Sequence, residues 1–344
     1  MSLLEAIVNL LLWPPLFYFL IFPGLVFVMI FEIFAIWSER KIAGRVQMRY
    51  GPLEISPRLG GALQLIADLI RYALQEVIIP RTVDKLPFVI APIAAFIIAL
   101  MPLLVTPFSP TFLPIGTESG ILIAAALTTI PPLLLILAGW ASNNKFSLVG
   151  SARESFLIAT YEVIILLTIA AMALLYGTLD FVKAVEAQQA LVWGLLLNPL
   201  AAITYFVAVM MGTSRFPFEI AEAESEIVMG AFTEYSGIMF GLAMGISYAR
   251  MFVYNIIFVL LFLGGWSPLG GITTGSFLLD SIVLPGLSVA VKATLISILM
   301  VFMRSIYGRY RIDQALNGGW GFWFIMALFS IGLSTIVVYV MEVL

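Results

Sequence analysis

The sequence predicts an all-α integral membrane protein, and three observations carry that prediction. Apolar residues make up 62% of the 344-residue chain and charged residues 11%, whereas a soluble domain carries about 25% charge. The mean hydropathy is +1.09. The apolar residues are also gathered into runs of about 20, the length a helix needs to cross a hydrocarbon layer. The chain has no cysteine and no histidine. That excludes cysteine nucleophiles, serine–histidine catalysis and disulfide frameworks, and it removes the usual ligands of iron–sulfur clusters and zinc. Any redox centre coupled to this chain is therefore expected in a partner, and no cofactor is expected on the chain itself.

The elements follow in order as a single membrane domain, residues 1–344. Leu3–Trp13, interrupted by Glu5 and Asn9 and stopped by Pro14 and Pro15, reads as a helix lying in the membrane interface. Eight spans are expected after it: Pro15–Trp37, Leu86–Phe108, Gly120–Ser142, Ser155–Thr178, Leu191–Gly212, Ser236–Trp266, Ile282–Met303 and Gly321–Met341. No run has the charged flank and cleavage site of a secretory signal, so the N-terminus reads as mature. Residues 38–85 form a loop far longer than a turn. Within it Leu59–Glu76 reads as an amphipathic helix, with Leu59, Leu63, Ile66, Ile70 and Ala73 on one face and Gln64, Asp68, Arg71 and Gln75 on the other. A second loop, 213–235, is acidic. Fourteen of the 17 lysines and arginines fall after spans one, three, five and seven. The positive-inside rule puts those segments in the cytoplasm and both termini on the opposite side of the cell membrane.

Ionisable side chains inside spans are expensive and tend to mark pathways or polar cavities. Glu162, beside Tyr161, lies in the fourth span, Arg250 in the sixth, Lys292 in the seventh and Glu32 in the first. Each has a plain structural reading as well, a charge pair that holds helices together. The densest feature is Arg215-Phe-Pro-Phe-Glu219 through Glu226. It places Glu219, Glu222, Glu224 and Glu226 within eight residues, followed by Glu234. As a helix, this stretch would put Glu219, Glu222 and Glu226 on one face. Carboxylates that close raise one another's pKa and titrate together. The stretch reads either as a proton antechamber or as an acidic loop that docks a basic partner. No P-loop and no dinucleotide fingerprint occurs, and nothing points to nucleic acid.

These motifs, in order along nearly the whole chain, resemble one family: the H-type membrane subunit (NADH dehydrogenase subunit 1 family) of respiratory complex I and of related membrane-bound hydrogenase-type complexes. Glu39-Arg40-Lys41 with Gly44, Gln47, Arg49 and Gly51-Pro52 looks like the family's first loop. Gln64, Asp68 and Glu76 look like its amphipathic segment, and Tyr161-Glu162 like its buried pair. Arg215 to Glu226 with Glu234-Tyr235 looks like the acidic loop. Lys292, Arg304, Arg309, Arg311, Asp313-Gln314 and Trp320 look like the closing segment.

The resemblance implies a non-catalytic subunit at the junction of a hydrophilic redox arm and antiporter-like membrane subunits. It would couple electron transfer to proton or sodium translocation. The proton path would then run through Glu162, Glu219, Glu222, Glu224, Glu226, Glu234 and Lys292. Chamber-rim or partner contacts would come from Glu39, Arg40, Arg49, Gln64, Asp68, Arg153, Arg215, Arg304, Arg309 and Asp313. Partners would be iron–sulfur and hydrogenase-like hydrophilic subunits, with the iron–sulfur clusters in those subunits. Glu219 and Ser247 stand where quinone-reducing relatives usually have Asp and Glu, and Leu157 and Gly308 stand in the places of a family Gln and Pro. These departures weigh against a quinone, and the run Arg153-Glu154 through Tyr161-Glu162 looks more like the hydrogenase-related branch than the NADH:quinone branch. From another class, a stand-alone secondary transporter would show internal repeats and paired broken helices, and neither is evident.

Overall fold

The computed structural model describes residues 25–110, 113–190, 192–267 and 283–343, with the single positions 20 and 280. The predicted interfacial helix Leu3–Trp13 and the start of the first span lie outside these residues. Among the described residues the protein is helical throughout, with no strand. The helices are α1 (Leu25–Val46), α2 (Leu63–Leu74), α3 (Lys85–Leu100), α4 (Gly120–Thr128), α5 (Ile130–Ala141), α6 (Lys145–Tyr176), α7 (Phe181–Ala190), α8 (Pro199–Gly212), α9 (Gly237–Phe262), α10 (Leu284–Ile306), α11 (Ile312–Asn317) and α12 (Phe324–Val343).

Among the described residues, six stretches are long and apolar enough to cross a membrane: Lys85–Leu104, Gly120–Ala141, Lys145–Tyr176, Gly237–Phe262, Leu284–Ile306 and Ile312–Glu342. They match six of the eight predicted spans, so this is a membrane protein. The other two differ for physical reasons. Predicted span Leu191–Gly212 breaks into a single turn, Gly194–Leu197, and the 14-residue α8. Pro199 cannot continue the preceding turn, and Asn198 instead caps α8 by accepting from the Ala201 N–H at 2.9 Å. At about 1.5 Å per residue, α8 covers only about two-thirds of a hydrocarbon layer. The first predicted span is described only from Leu25 on, as α1. That helix carries Glu32 and, toward its C-terminus, Glu39, Arg40, Lys41 and Arg45.

Two helices organise the rest. α9 is buried along most of its length and is ringed by α1, α2, α3, α8 and α10, while α6 is clasped by α5, α8 and α12. The fourth predicted span, Ser155–Thr178, begins ten residues too late. α6 starts at Lys145, where the Asn144 side chain accepts from the Phe146 N–H at 2.9 Å. It runs 32 residues, longer than any bilayer requires.

α2 sits in the predicted loop as an amphipathic helix. Leu63, Ile66 and Ile70 are exposed, whereas Leu65 is buried and Asp68 turns toward α1. An apolar stripe left outward in this way suits a bilayer surface or a partner.

The acidic loop is seated by missing side chains. A Cβ on Gly150 of α6 would fall 2.6 Å from Gly230, and one on Gly139 of α5 would fall 2.8 Å from the Ala231 Cβ. Gly230, at φ +55°, packs in turn on the Ala221 carbonyl. The loop thus folds back on itself and lies flush against α5 and α6.

Candidate functional site

Three elements converge at the loop end of the bundle: the end of α1, the acidic loop and the end of α10. Glu39 of α1 is buried and accepts from Arg215 at 3.0 Å, from the Tyr248 hydroxyl of α9 at 3.0 Å, and from Arg304. The Arg215 guanidinium lies 4.0 Å from the centre of the Tyr248 ring. Glu219 faces both Arg304 and Arg309, each at 3.8 Å. Phe216 spreads beneath both guanidiniums, so the cations are stacked as well as paired. Two carboxylates therefore meet three guanidiniums, and Glu39, Arg215, Arg304 and Arg309 turn inward upon one another.

The loop is not a helix where the acids begin. Only Glu224–Ile227 makes a helical turn, so Glu219, Glu222 and Glu226 do not share a face. Four like charges within eight residues would repel on one helix. Here they separate instead. Glu224 is exposed, and Glu226 pairs with Arg153 of α6 at 2.5 Å. Glu234 is held by the Asn144 side chain. Glu222 turns into a cavity of about 20 Å³ that it shares with Ser214, Ser247, Glu154 and Arg250. A space of that size holds about one water. Burial, then the charges of Glu219 and Glu154, push the Glu222 carboxyl up to about 8, while Arg215 pulls the other way. Burial raises Glu219 to about 6 against the pull of Arg309 and Arg215.

Below this cavity a buried polar chain continues. The Tyr161 hydroxyl donates to Glu154 at 3.3 Å, and Arg250 donates to the Tyr161 oxygen at 3.2 Å and to the Tyr254 oxygen at 3.4 Å. The Tyr254 hydroxyl donates to Glu162 at 3.3 Å, and Arg250 stands 3.8 Å from the same carboxylate. Helix periodicity assembles it. Glu154, Tyr161 and Glu162 recur at i, i+7 and i+8 on α6, and Ser247, Arg250 and Tyr254 at i, i+3 and i+7 on α9. One cation serves two carboxyls.

Glu154 is the residue that sequence reasoning misses as a site. A signal exists, since it stands two turns ahead of Tyr161 on one helix face, but the predicted span begins one residue after it.

Other predicted residues lie elsewhere. Lys292 is apart from the acids: its ammonium donates to the carbonyls of Leu263 (2.6 Å), Gly265 (2.9 Å) and Ser267, and sits over the Trp193 ring. It closes the end of α9, a position where a cation meets unsatisfied carbonyls and the helix dipole. Among the described residues the Arg49 side chain pairs with Gln47 and Asp313 with Arg311, both at the surface. Arg40 pairs with Asp68 at 2.8 Å and joins α1 to α2. Gln64 is half-buried on α2.

Between α1, α2, α3 and α9 lies an apolar cavity of about 370 Å³, walled by Met29, Leu65, Leu69, Tyr72 and Phe96, with the Arg40–Asp68 pair at its rim. Among the described residues no group of three acids is arranged to hold a metal ion.

The sequence profile of the family described as NADH dehydrogenase matches residues 19–335. The chain belongs to that family. Its similarity to curated members is spread along the whole length. It is 36% identical to the H-type subunit of the NADH-quinone oxidoreductase of Carboxydothermus hydrogenoformans, over 87% of this chain and 82% of that one. It is 35% identical to the corresponding subunit of a Geobacillus species, over 90% of each chain. It is 34% identical to that of Bacillus cytotoxicus, over 93% of this chain and 94% of the other. Every acid and arginine of the two networks, from Glu39 to Arg309, falls inside the stretch that matches the NADH dehydrogenase family. The resemblance read from the motifs is thereby shown.

Proposed function

We propose that this NADH dehydrogenase family member is the junction subunit of a complex-I-like oxidoreductase, and that its acids couple electron transfer to proton or sodium translocation. The observation that carries the reading is continuity. Glu219 and Glu222 on the loop, the small cavity, Glu154, the two tyrosines with Arg250, and Glu162 form one polar line through an otherwise apolar bundle. Unpaired polar groups are costly in such surroundings, so a line of them calls for a purpose.

Charge arriving at the arginine-rich mouth shifts the loop carboxyls, whose pKa values of about 6 and about 8 lie near neutrality. A proton then passes from Glu222 toward Glu154, and Tyr161, Arg250 and Tyr254 link that carboxyl to Glu162. Glu224, Glu226 and Glu234 sit at the outer edge of this line and serve entry or docking. Hydrophilic iron–sulfur subunits would dock on the loop face, which faces the cytoplasm in this reading, and antiporter-like subunits would follow Glu162.

The redox partner has two readings. The run from Arg153 to Glu162 supports the hydrogenase-related branch, and the departures at Glu219, Leu157, Ser247 and Gly308 weigh against a quinone. The relatives named as quinone oxidoreductase subunits, together with the apolar cavity, support a quinone-linked complex. The test of coupling is the same for both. In the purified complex reconstituted into vesicles, Glu162→Gln, Glu154→Gln and Glu222→Gln are expected to leave assembly and electron transfer intact while ion pumping per electron falls severalfold. Unchanged pumping in all three would remove the mechanism, and loss of assembly would leave only a docking platform.

A further inference from the structure

The end of α1 carries a group of cations that neither network uses. From Lys41 to Arg58 the chain holds four of them, Lys41, Arg45, Arg49 and Arg58, against a single acid, Glu54. Lys41 donates to the Tyr50 carbonyl at 3.4 Å and Arg49 to Gln47 at 2.8 Å. Arg45 and Arg58 are exposed, and neither side chain has an acid or a hydrogen-bond acceptor among the described residues. Arg40, by contrast, is neutralised by Asp68. The backbone that presents the four is fixed. The Trp37 indole donates to the Gly60 carbonyl at 3.1 Å, and a Cβ on Gly44 would fall 3.0 Å from the Gly51 nitrogen, so the chain folds tightly back over the end of α1. Like charges held together in this way repel and leave an unmatched positive field.

Arg45 is also the lip of a furrow of about 520 Å³ between α1 and α10. Ile42 and Val46 line one side of it, and Leu295, Ile298, Leu299 and Phe302 the other. Leu295, Leu299 and Phe302 recur at i, i+4 and i+7, so they form one face of α10, and all three are exposed. α10 is one of the stretches able to cross a membrane, which puts this outward face against hydrocarbon. The furrow is separate from the 370 Å³ cavity, to which α1 turns a different side. Its chemistry selects the occupant. Transmembrane helices approach one another closely through small residues, and the furrow is lined by leucine, isoleucine, valine and phenylalanine instead. A bare hydrocarbon tail would match the floor but leave the cations unmatched. A cluster of cations at the edge of a membrane-spanning helix attracts acidic lipids, and a guanidinium fork suits phosphate oxygens.

We propose that the furrow between α1 and α10 holds a phospholipid with an acidic headgroup, its phosphate on Arg45 and one tail along Leu295, Leu299 and Phe302. Lys41, Arg49 and Arg58 supply the surrounding positive field. The inference rests on the outer faces of α1 and α10 and not on the coupling role of Glu162.

The test uses the purified complex in mixed micelles, with a phosphatidylglycerol carrying a diazirine in one tail as probe. Cross-links are mapped to the peptides that contain residues 42–46 and 295–302. Dioleoyl phosphatidylglycerol, dioleoyl phosphatidylcholine and inorganic phosphate serve as competitors. Saturable labelling of both peptides is expected, with the acidic lipid competing about tenfold better than the zwitterionic one and phosphate failing. Arg45→Gln should weaken binding about fivefold, and Arg45→Gln with Arg58→Gln further, as the attraction of acidic lipid to each surface cation implies. Arg45→Lys should stay within about threefold, since the charge is kept. Leu299→Trp, which fills the furrow from an exposed position, should abolish labelling in a complex that still migrates intact. Equal competition by phosphatidylcholine, or equal labelling of the double variant and wild type, would overturn the proposal and mark the furrow as ordinary lipid contact. Competition by inorganic phosphate as strong as that of the lipid would overturn it in favour of a soluble anion. Absence of saturable labelling in the wild-type complex would overturn it as well and show the furrow covered by a partner chain. Glu162→Gln should not alter labelling, so this test and the pumping test fail separately.

Discussion

Glu219 and Glu222 stand three residues apart in one loop, yet neighbouring charge separates them. Glu219 faces Arg304 and Arg309 and is raised only to about 6. Glu222 sits over the small cavity with Glu219 and Glu154 as negative neighbours and is raised to about 8 from an ordinary 4.5. The sign of the consequence is fixed. Between 4.5 and about 8 the folded protein holds a proton on Glu222 that the unfolded chain has lost. Raising the pH through that window therefore costs stability, and the loss is complete above about 8. The complex is expected to unfold at a lower temperature at pH 8.5 than at pH 6, and Glu222→Gln should flatten part of that slope. In infrared difference spectra, the protonated-carboxyl band of the wild type should fade over the same interval and the variant should lack that component. A slope identical in both proteins would mean that Glu222 is already ionised at pH 6. At this scale the sequence was half legible. The density of acids stood out, but their fates did not, because each is decided by a residue distant in the chain: Arg304 for Glu219, Arg153 for Glu226 and Asn144 for Glu234. The arginines read as partner contacts, Arg215, Arg304 and Arg309, turn inward for the same reason.

At the scale of elements, apolar run length located the helices well, since a bilayer imposes a length that composition reveals. It failed at boundaries where a helix continues into polar surroundings. α6 begins at Lys145 behind an Asn144 cap, and apolarity begins only ten residues later. The missed stretch contains Glu154 and Gly150, the acid under the loop and the glycine on which the loop rests. Gly150 makes a sharp prediction. A methyl group there would stand 2.6 Å from Gly230 and 2.8 Å from the Ala231 nitrogen. Both are backbone atoms that cannot swing aside, so α6 and the loop must part. Gly150→Ala is expected to cost about 1–3 kcal/mol by overpacking, read as a lowered midpoint of thermal unfolding, and to open the Glu222 cavity to water. Gly177→Ala is the contrasting case. It lies at φ +63° with open space around it, so its cost is backbone strain alone, about 1 kcal/mol, with no effect on the loop. Equal losses of coupling in the two variants would show that the seat of the loop is not what Gly150 provides.

At the scale of the molecule, the two networks sit on opposite sides of α9, the bundle's most buried helix. The 370 Å³ cavity with Glu32 opens where α9 meets α1, α2 and α3, and the polar line to Glu162 runs where α9 meets α6. Arg215, Glu39 and Tyr248 join the two at the loop end. This arrangement has a direction only if the loop end has a fixed side of the membrane, and the distribution of cations predicts that side. Fourteen of 17 lysines and arginines belong to segments read as cytoplasmic. The absence of cysteine makes the question cleanly testable, because each introduced thiol is the chain's only one. Arg58→Cys, in the long first loop, and Lys183→Cys, on α7, replace exposed residues. In intact cells an impermeant maleimide is expected to label Lys183→Cys and spare Arg58→Cys, and in inverted vesicles the pattern should reverse. Labelling of both from one side would break the alternation of the helices and overturn the sidedness that the cation count predicts for the acidic loop.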